Sequence, residues 1–167
     1  MIFAFDVAYN ENNIAKAACI GFQHWRDEHP AEVYTEFVIG LEAYSPGEFY
    51  KRELPCIEKL LRKIDRSRIS LAIIDGFVFL DDDGRPGLGT HVYEVLGGAI
   101  PVIGVAKTIF ANNTKNVKEV LRGESMNPLY VSSIGMDLTR AAENIHGMHG
   151  KYRIPTLLKK LDQITKR

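Results

Sequence analysis

The chain opens on a run with strand character. Residues 2–9 are aromatic and aliphatic almost throughout, with Asp6 inside the run, an enrichment that predicts a β-strand. Residues 10–13 are a turn. Residues 14–25 and 32–40 read as two more strands, parted by the polar stretch RDEHPA. No helix-length segment lies between these three strands. They are therefore expected to form an antiparallel meander, because parallel neighbours need a long crossover. The period then changes. Leu54, Ile57, Leu60, Leu61 and Ile64 fall at helical spacing within residues 49–64, and Pro55 is expected to open the main helix at its first position. Residues 69–74 and 101–106 are apolar runs of the kind found in buried central strands. Between them lie a loop rich in Gly and Asp, 76–89, and a helix over 90–96. Residues 117–121 suit either a helix or a strand. A short strand over 129–132 and helices over 138–146 and 155–165 complete the chain. Three meander strands followed by helix, strand, helix, strand predict one α/β domain over residues 1–167. Its sheet is mixed, an antiparallel three-strand meander followed by parallel strands, flanked by helices in the RNase H-like order. Order alone carries little about function.

Composition narrows the classes. Of 167 residues, 46% are hydrophobic and 25% charged, enough for a sizeable core. The formal net charge is zero, which argues against a protein that coats nucleic acid by bulk charge. A neutral total still leaves room for an acidic site beside a basic patch. Cys19 and Cys56 lie in apolar surroundings outside any C-x-x-C pair, so two buried thiols are expected rather than a disulfide or zinc framework. No apolar run spans a bilayer, and MIFAFDVAY lacks the basic region of a signal peptide. The expectation is a cytoplasmic protein without a membrane partner.

Five residues carry candidate chemistry. Asp is depleted in strands, yet Asp6 shares a strand face with Ile2, Ala4 and Ala8. A buried carboxylate needs a partner or a metal; a strand-end Asp bonded to a neighbouring amide is the plain alternative. Asp75 closes the run SLAIID before Gly76. Ligands of open α/β sheets bind beyond the carboxyl ends of the parallel strands, although Asp-Gly also simply forms turns. Glu53 projects along the apolar helix face if the helix reaches back that far, and otherwise sits at its N-terminus, where the dipole favours it. Asp162 flanks the buried stripe of the last helix, and its spacing alone favours a solvated residue. Lys107 ends the strand PVIGVA, where a lysine can meet a phosphate or merely close a strand. Two carboxylates in one sheet match the way Mg²⁺ is held. GRPGLG fits neither the dinucleotide fingerprint nor a P-loop. Asp81, Asp82 and Asp83 have the wrong spacing for an EF-hand. HGMHG lacks further zinc ligands.

These residues fall, in order, on the motifs of one family: the chain resembles endonuclease V, a nuclease that recognises deaminated adenine. FDVAY matches the family's first metal-aspartate motif at Asp6, and IIDG the second at Asp75. AYSPGEFYKRELP is similar to its Tyr-x-Pro-Gly…Phe-Arg-Glu-x-Pro segment, which implies Tyr44 as the wedge filling the gap left by an extruded base, and Glu53 as an active-site acid. GLGTH resembles Gly-x-Ala-x-His, giving His91, and PVIGVAKT resembles Gly-Val-Ala-Lys-Ser, giving Lys107. YVSSIG and KYRIP resemble two further motifs, and the latter sets the register for Asp162. The resemblance implies a Mg²⁺-dependent endonuclease, with Mn²⁺ as an alternative ion. It implies Asp6, Asp75 and Glu53 at the metal and Asp6, Glu53, Asp75, Lys107 and Asp162 in catalysis. Phe49, Gly76, Gly87, Leu88 and His91 would contact inosine-containing DNA or RNA together with Tyr44. The products would carry 5′-phosphate and 3′-hydroxyl ends. Family members usually have a helical segment before the first strand, whereas this chain begins almost at that strand. After Asp75-Gly76, the family's Gln-Gly-x-Ala-His-Pro-Arg-Arg is replaced by FVFLDDDGRP. Two other readings remain: a non-catalytic RNase H-like protein that binds nucleic acid or a partner, and a phosphoacceptor domain, against which the early meander speaks.

Overall fold

The structure is a computed structural model that describes residues 1–40, 46, 48–110 and 112–167. β1, Ile2–Tyr9, has an antiparallel neighbour on one side and a parallel one on the other. β2, Ala15–Phe22, and β3, Glu32–Val38, complete the antiparallel meander. β2 stops three residues short of Trp25. There the amides of Gln23 and His24 donate to Asp27 Oδ2 at 3.0 and 2.9 Å, and the chain turns.

The chain then makes α1, Tyr50–Leu61, which leads to β4, Leu71–Asp75, laid parallel to β1. α2, Leu88–Val95, connects to β5, Val102–Ala106, parallel to β4. Beyond β5 the sheet turns antiparallel again: β7, Leu129–Ile134, pairs with β5, and β6, Lys118–Val120, pairs with β7. The stretch whose pattern suited helix or strand is thus an edge strand. Two helices close the chain, α3, Leu138–His146, and α4, Thr156–Thr165. The seven strands lie in the order β3-β2-β1-β4-β5-β7-β6, the mixed sheet expected of an RNase H-like domain.

Period-2 alternation divides the core in two. Phe3, Phe5 and Val7 of β1 face Ile57, Leu60 and Leu61 of α1 and Val92 of α2. Ile2 and Ala4 face the opposite layer, built on Ala141 and Ile145 of α3 and Leu157 and Leu161 of α4. Cys19 and Cys56 are buried, unbridged thiols, as their surroundings predict.

Pro55 does not open α1. The helix begins five residues earlier, and its first turn is closed by the amides of Arg52 and Glu53 donating to the Phe49 carbonyl. Pro55 removes one backbone donor inside the helix, and the burial of Cys56, Ile57, Leu60 and Leu61 offsets that loss. The earlier start carries Glu53 onto the helix and under the sheet end.

The segment after Asp75 folds back over β5, and Gly104 makes room for it. A Cβ at Gly104 would stand 2.6 Å from the Gly76 carbonyl oxygen and 2.7 Å from Ser132 Oγ. Ser132 is fully buried and accepts from the Val78 amide at 3.0 Å. The Val78 carbonyl in turn accepts from Thr90 Oγ1 at 2.7 Å and from the Gly87 amide at 2.8 Å. Gly104→Ala is expected to lower stability by about 1–3 kcal/mol, the cost of overpacking a tight site, measured as the shift in urea unfolding.

Candidate active site

Strand register brings the first two carboxylates together. Phe5 pairs with Ile74 across the parallel β1–β4 ladder, so the next step sets Asp6 beside Asp75, with strands about 4.8 Å apart. Ala4 and Ile73, two residues earlier, belong to the same core layer, and Asp6 and Asp75 therefore project from one face. Each carboxyl senses the other across the ladder. Burial is the main force raising the Asp6 carboxyl, and the hydrogen bond from Thr165 acts against it. Asp75 is pushed up to about 7, first by desolvation and then by the Asp6 charge, with Lys107 pulling the other way. Its side chain is open to solvent but sits in a concavity, so crowding by protein and access to water coexist.

α4 supplies the next groups from above that face. Leu157 and Leu161 hold the helix down. Thr165 Oγ1 then lies 2.9 Å from Asp6 Oδ2 and 2.9 Å from the Asp162 carbonyl. Asp162 is not a solvated residue. Its carboxylate has 17% side-chain exposure, takes Lys166 Nζ at 3.0 Å and lies 3.7 Å from Lys107 Nζ. Desolvation pushes Asp162 up, yet the Lys166 hydrogen bond and the Lys107 and Lys166 charges outweigh it and leave the group below the usual carboxylate range. Lys107 follows Val105, the register partner of Asp75, by two residues. Asp6, Asp75, Lys107 and Asp162 share one cavity of about 40 Å³, roofed by Ile154, Pro155 and Leu158.

Glu53 reaches the same sheet end from the α1 layer. It is buried, and its carboxyl is raised well above the usual range by desolvation and then by the Asp75 and Asp6 charges. The Tyr9 hydroxyl, buried and without a hydrogen-bond partner among the described residues, senses the Glu53 charge. Among the described residues no three His, Cys, Asp or Glu side chains close on one point. Glu53 is thus near the pair electrostatically without forming a three-carboxylate cage with it. The donor set fits Mg²⁺, which needs only one or two carboxylates beside waters and substrate phosphates. Two neighbouring carboxylates with a third acid nearby are also a charge arrangement that a cation relieves.

A wider cleft of about 340 Å³ opens on the other side of Asp75 and Lys107. Phe49, Gly76, Gly87 and Leu88 all line it, joined by the rings of Tyr50, Phe77 and Phe110. His91 is not in its lining; it stacks on Tyr50 at 3.8 Å and supports the wall from behind. Tyr44 lies outside the described residues. The aspartates of the divergent loop bind backbone. Asp82 accepts from the amides of Thr114 and Lys115 at 2.6 and 2.7 Å and from Thr114 Oγ1 at 2.7 Å. Asp81 accepts from the amides of Asp83 and Arg85.

Several residues at the site escape pattern reading. Thr165 is an ordinary hydroxyl in sequence, and Ser132 is marked only by its place in YVSSIG. Arg153 stands inside KYRIP, and its guanidinium donates to the carbonyls of Lys107 at 2.6 Å, Asn127 at 2.9 Å and Pro128 at 2.9 Å. The motif was the one signal for it.

A seven-stranded RNase H-like sheet with a carboxylate pair just past the end of its β1–β4 ladder defines the class of this protein. A family model described as Endonuclease V matches residues 1–163, and the chain belongs to the endonuclease V family. Its fold is similar to that of Ciona intestinalis endonuclease V, solved with a 24mer DNA containing an inosine followed by a ribo-adenosine; the TM-score is 0.84, the identity 20%, and the match covers 99% of this chain and 83% of that one. Human ENDOV gives 0.81 at 20% identity, covering 99% and 82%. The Bacillus subtilis endonuclease V gives 0.79 at 20%, covering 99% and 78%. No sequence match among curated proteins reaches significance. Among the described residues, no helix is long and apolar enough to cross a membrane.

The raised carboxyls set a pH dependence for the metal-free protein. Unfolded, Asp75 titrates near 3.9; folded, it titrates higher. Above the folded value both states are ionised and the folded state bears the whole cost of desolvating the charge and of the Asp6 repulsion. As pH falls through about 7 the folded state takes up the proton and that cost fades. Thermal melts without metal are expected to show higher stability at pH 6 than at pH 8. Asp75→Asn should raise the pH 8 midpoint and flatten that profile.

Proposed function

We propose that this chain is a divalent-metal-dependent endonuclease that hydrolyses a phosphodiester near deaminated adenine in DNA or RNA, leaving 5′-phosphate and 3′-hydroxyl ends. The observation that carries the reading is the Asp6–Asp75 pair set between two spaces, a small acidic cavity and a larger aromatic cleft, with Lys107 bordering both. Membership of the endonuclease V family supports it, as does the inosine-containing DNA bound to the Ciona relative.

Asp6 and Asp75 would hold Mg²⁺ or Mn²⁺, with Glu53 and Asp162 acting through water or on a second ion. When bound, the cation supplies Lewis-acid activation of water and of the scissile phosphate. Thr165 holds the Asp6 carboxylate at the cavity wall through its hydrogen bond to Oδ2. Lys107 supplies a point charge at the developing negative charge of the phosphate, and Arg153 holds the Lys107 backbone in place. The aromatic cleft takes an extruded base. Flipping costs a few kcal/mol, which stacking on Phe49, Tyr50 or Phe77 offsets. The backbones of Gly76, Gly87 and Leu88 offer hydrogen-bonding groups without side-chain bulk. Tyr44 is assigned the vacancy left in the stack.

The test is Mg²⁺-dependent cleavage of a deoxyinosine oligonucleotide and of its RNA counterpart. Asp75→Ala is expected to lose more than about a hundredfold in rate, because even outer-shell changes cost 10–100-fold. Lys107→Ala should lose about 10²–10³-fold in kcat. Undiminished cleavage by Asp75→Ala would sink the metal assignment. Strand binding with no cutting in either Mg²⁺ or Mn²⁺ would favour the non-catalytic reading.

A further inference from the structure

The loop between α3 and α4, residues 147–155, is held more firmly than a surface connection needs. Arg122 is a buried cation, 4% exposed, whose guanidinium donates only to backbone carbonyls. Nη2 reaches Met148 at 2.7 Å and Gly150 at 3.0 Å, Nη1 reaches Tyr152 at 2.6 Å and Arg153 at 3.4 Å, and Nε reaches His146 at 3.4 Å. Burying a guanidinium is costly, and burial pulls its pKa down; the five carbonyls are what compensates. The adjacent Gly123, at φ +60°, lies so close to the Lys151 carbonyl that no side chain fits there. Arg153 ties the other end of the loop to the carbonyls of Lys107, Asn127 and Pro128.

This scaffold turns one set of residues in and another out. Ile154 and Pro155 roof the cavity of Asp6, Asp75, Lys107 and Asp162. Tyr152, two residues before that roof, is 69% exposed, an unusual placement for a large ring on a rigid loop. Lys151 Nζ lies 5.5 Å from the centre of the Tyr152 ring. An exposed ring with a cation on it, fixed beside a site that handles phosphates, has the two elements by which proteins hold single strands: a π-face for a base and charge for the backbone.

We infer that Tyr152 and Lys151 form a stacking platform for a single-stranded stretch of nucleic acid next to the scissile phosphate, and that Arg122 is the positioning residue that holds it. The nuclease reading identifies the ligand as nucleic acid, and the platform extends that reading to strand outside the base cleft. Because every base has a π-face, the platform is indifferent to the lesion. Its contribution therefore differs from that of the wedge and cleft, which act at the modified base.

The experiment is fluorescence anisotropy of a labelled, unmodified single-stranded DNA, and of the same sequence as RNA, with the full chain in the Asp75→Asn background so that nothing is cut. Tyr152→Ala is expected to bind at least one of these strands about tenfold more weakly, while Tyr152→Trp keeps or strengthens binding and both melt like the parent. Lys151→Ala should lower the slope of log K against log salt by about 0.7. An inosine-containing strand should lose the same factor in Tyr152→Ala as the unmodified one. Equal binding of both strands by parent and Tyr152→Ala overturns the platform and leaves the nuclease reading standing. Weakened binding in Tyr152→Ala from a chain that proves unable to cut inosine strands keeps the platform and removes the nuclease. A parent that binds neither strand overturns both.

Discussion

The in-register parallel pairing of β1 with β4 is the constraint on which the rest of the site depends. Register fixes which residues stand side by side, and here it stands Asp6 next to Asp75, one step past the last paired residues of β1 and β4. A slip of one residue would turn one of them to the opposite core layer. The apolar alternation of β1 makes that slip costly: Phe3, Phe5 and Val7 would have to exchange layers with Ile2 and Ala4. Hydrophobic burial thereby enforces a contact between two carboxylates that repel each other when both are charged.

That repulsion explains why so many other groups converge on the same point. Thr165 donates a hydrogen bond to Asp6, and Lys107 lowers the cost of charge on Asp75. Asp162 is kept ionised by Lys107 and Lys166 rather than adding a further proton to the cluster. α4 delivers both Thr165 and Asp162 because Leu157 and Leu161 seat the helix on the β1 side of the sheet. Each of these contacts stabilises a local charge arrangement that folding alone would not select. Carboxyls perturbed in this way cluster at functional sites.

The second constraint is the path of the chain after Asp75. Gly104 and Ser132 let residues 76–78 fold back tightly onto β5, and that turn opens the aromatic cleft beside the acidic cavity. The divergent loop does not fill the cleft. Asp81 and Asp82 direct their carboxylates to backbone amides, Asp82 tying the loop to Thr114 and Lys115 and Asp81 closing its own turn. The loop thus contributes a wall of the cleft through Phe77, Leu80 and Gly87, held by these backbone hydrogen bonds.

Most of the architecture was legible along the chain, since the meander, the two apolar central strands and the closing helices each bury a face whose period is visible in the residues. The pair of aspartates stood out for the same reason, as charged residues where the pattern demanded apolar ones. Pro55 misled because a proline's local preference for a first turn yields to the burial of the residues around it. Residues 117–121 were ambiguous because so short an edge strand is selected by its partner β7. Asp162 could not be told from a solvated residue by its spacing, and Arg122 and Thr165 gave no signal, because a residue's local pattern does not say which distant backbone or carboxylate it will meet. The sequence by itself determined which faces are buried and that acids interrupt them. Only the tertiary structure decided that those acids stand side by side, that lysines balance them, and that a buried arginine fixes the loop beside them, because each of these depends on contacts between residues far apart along the chain.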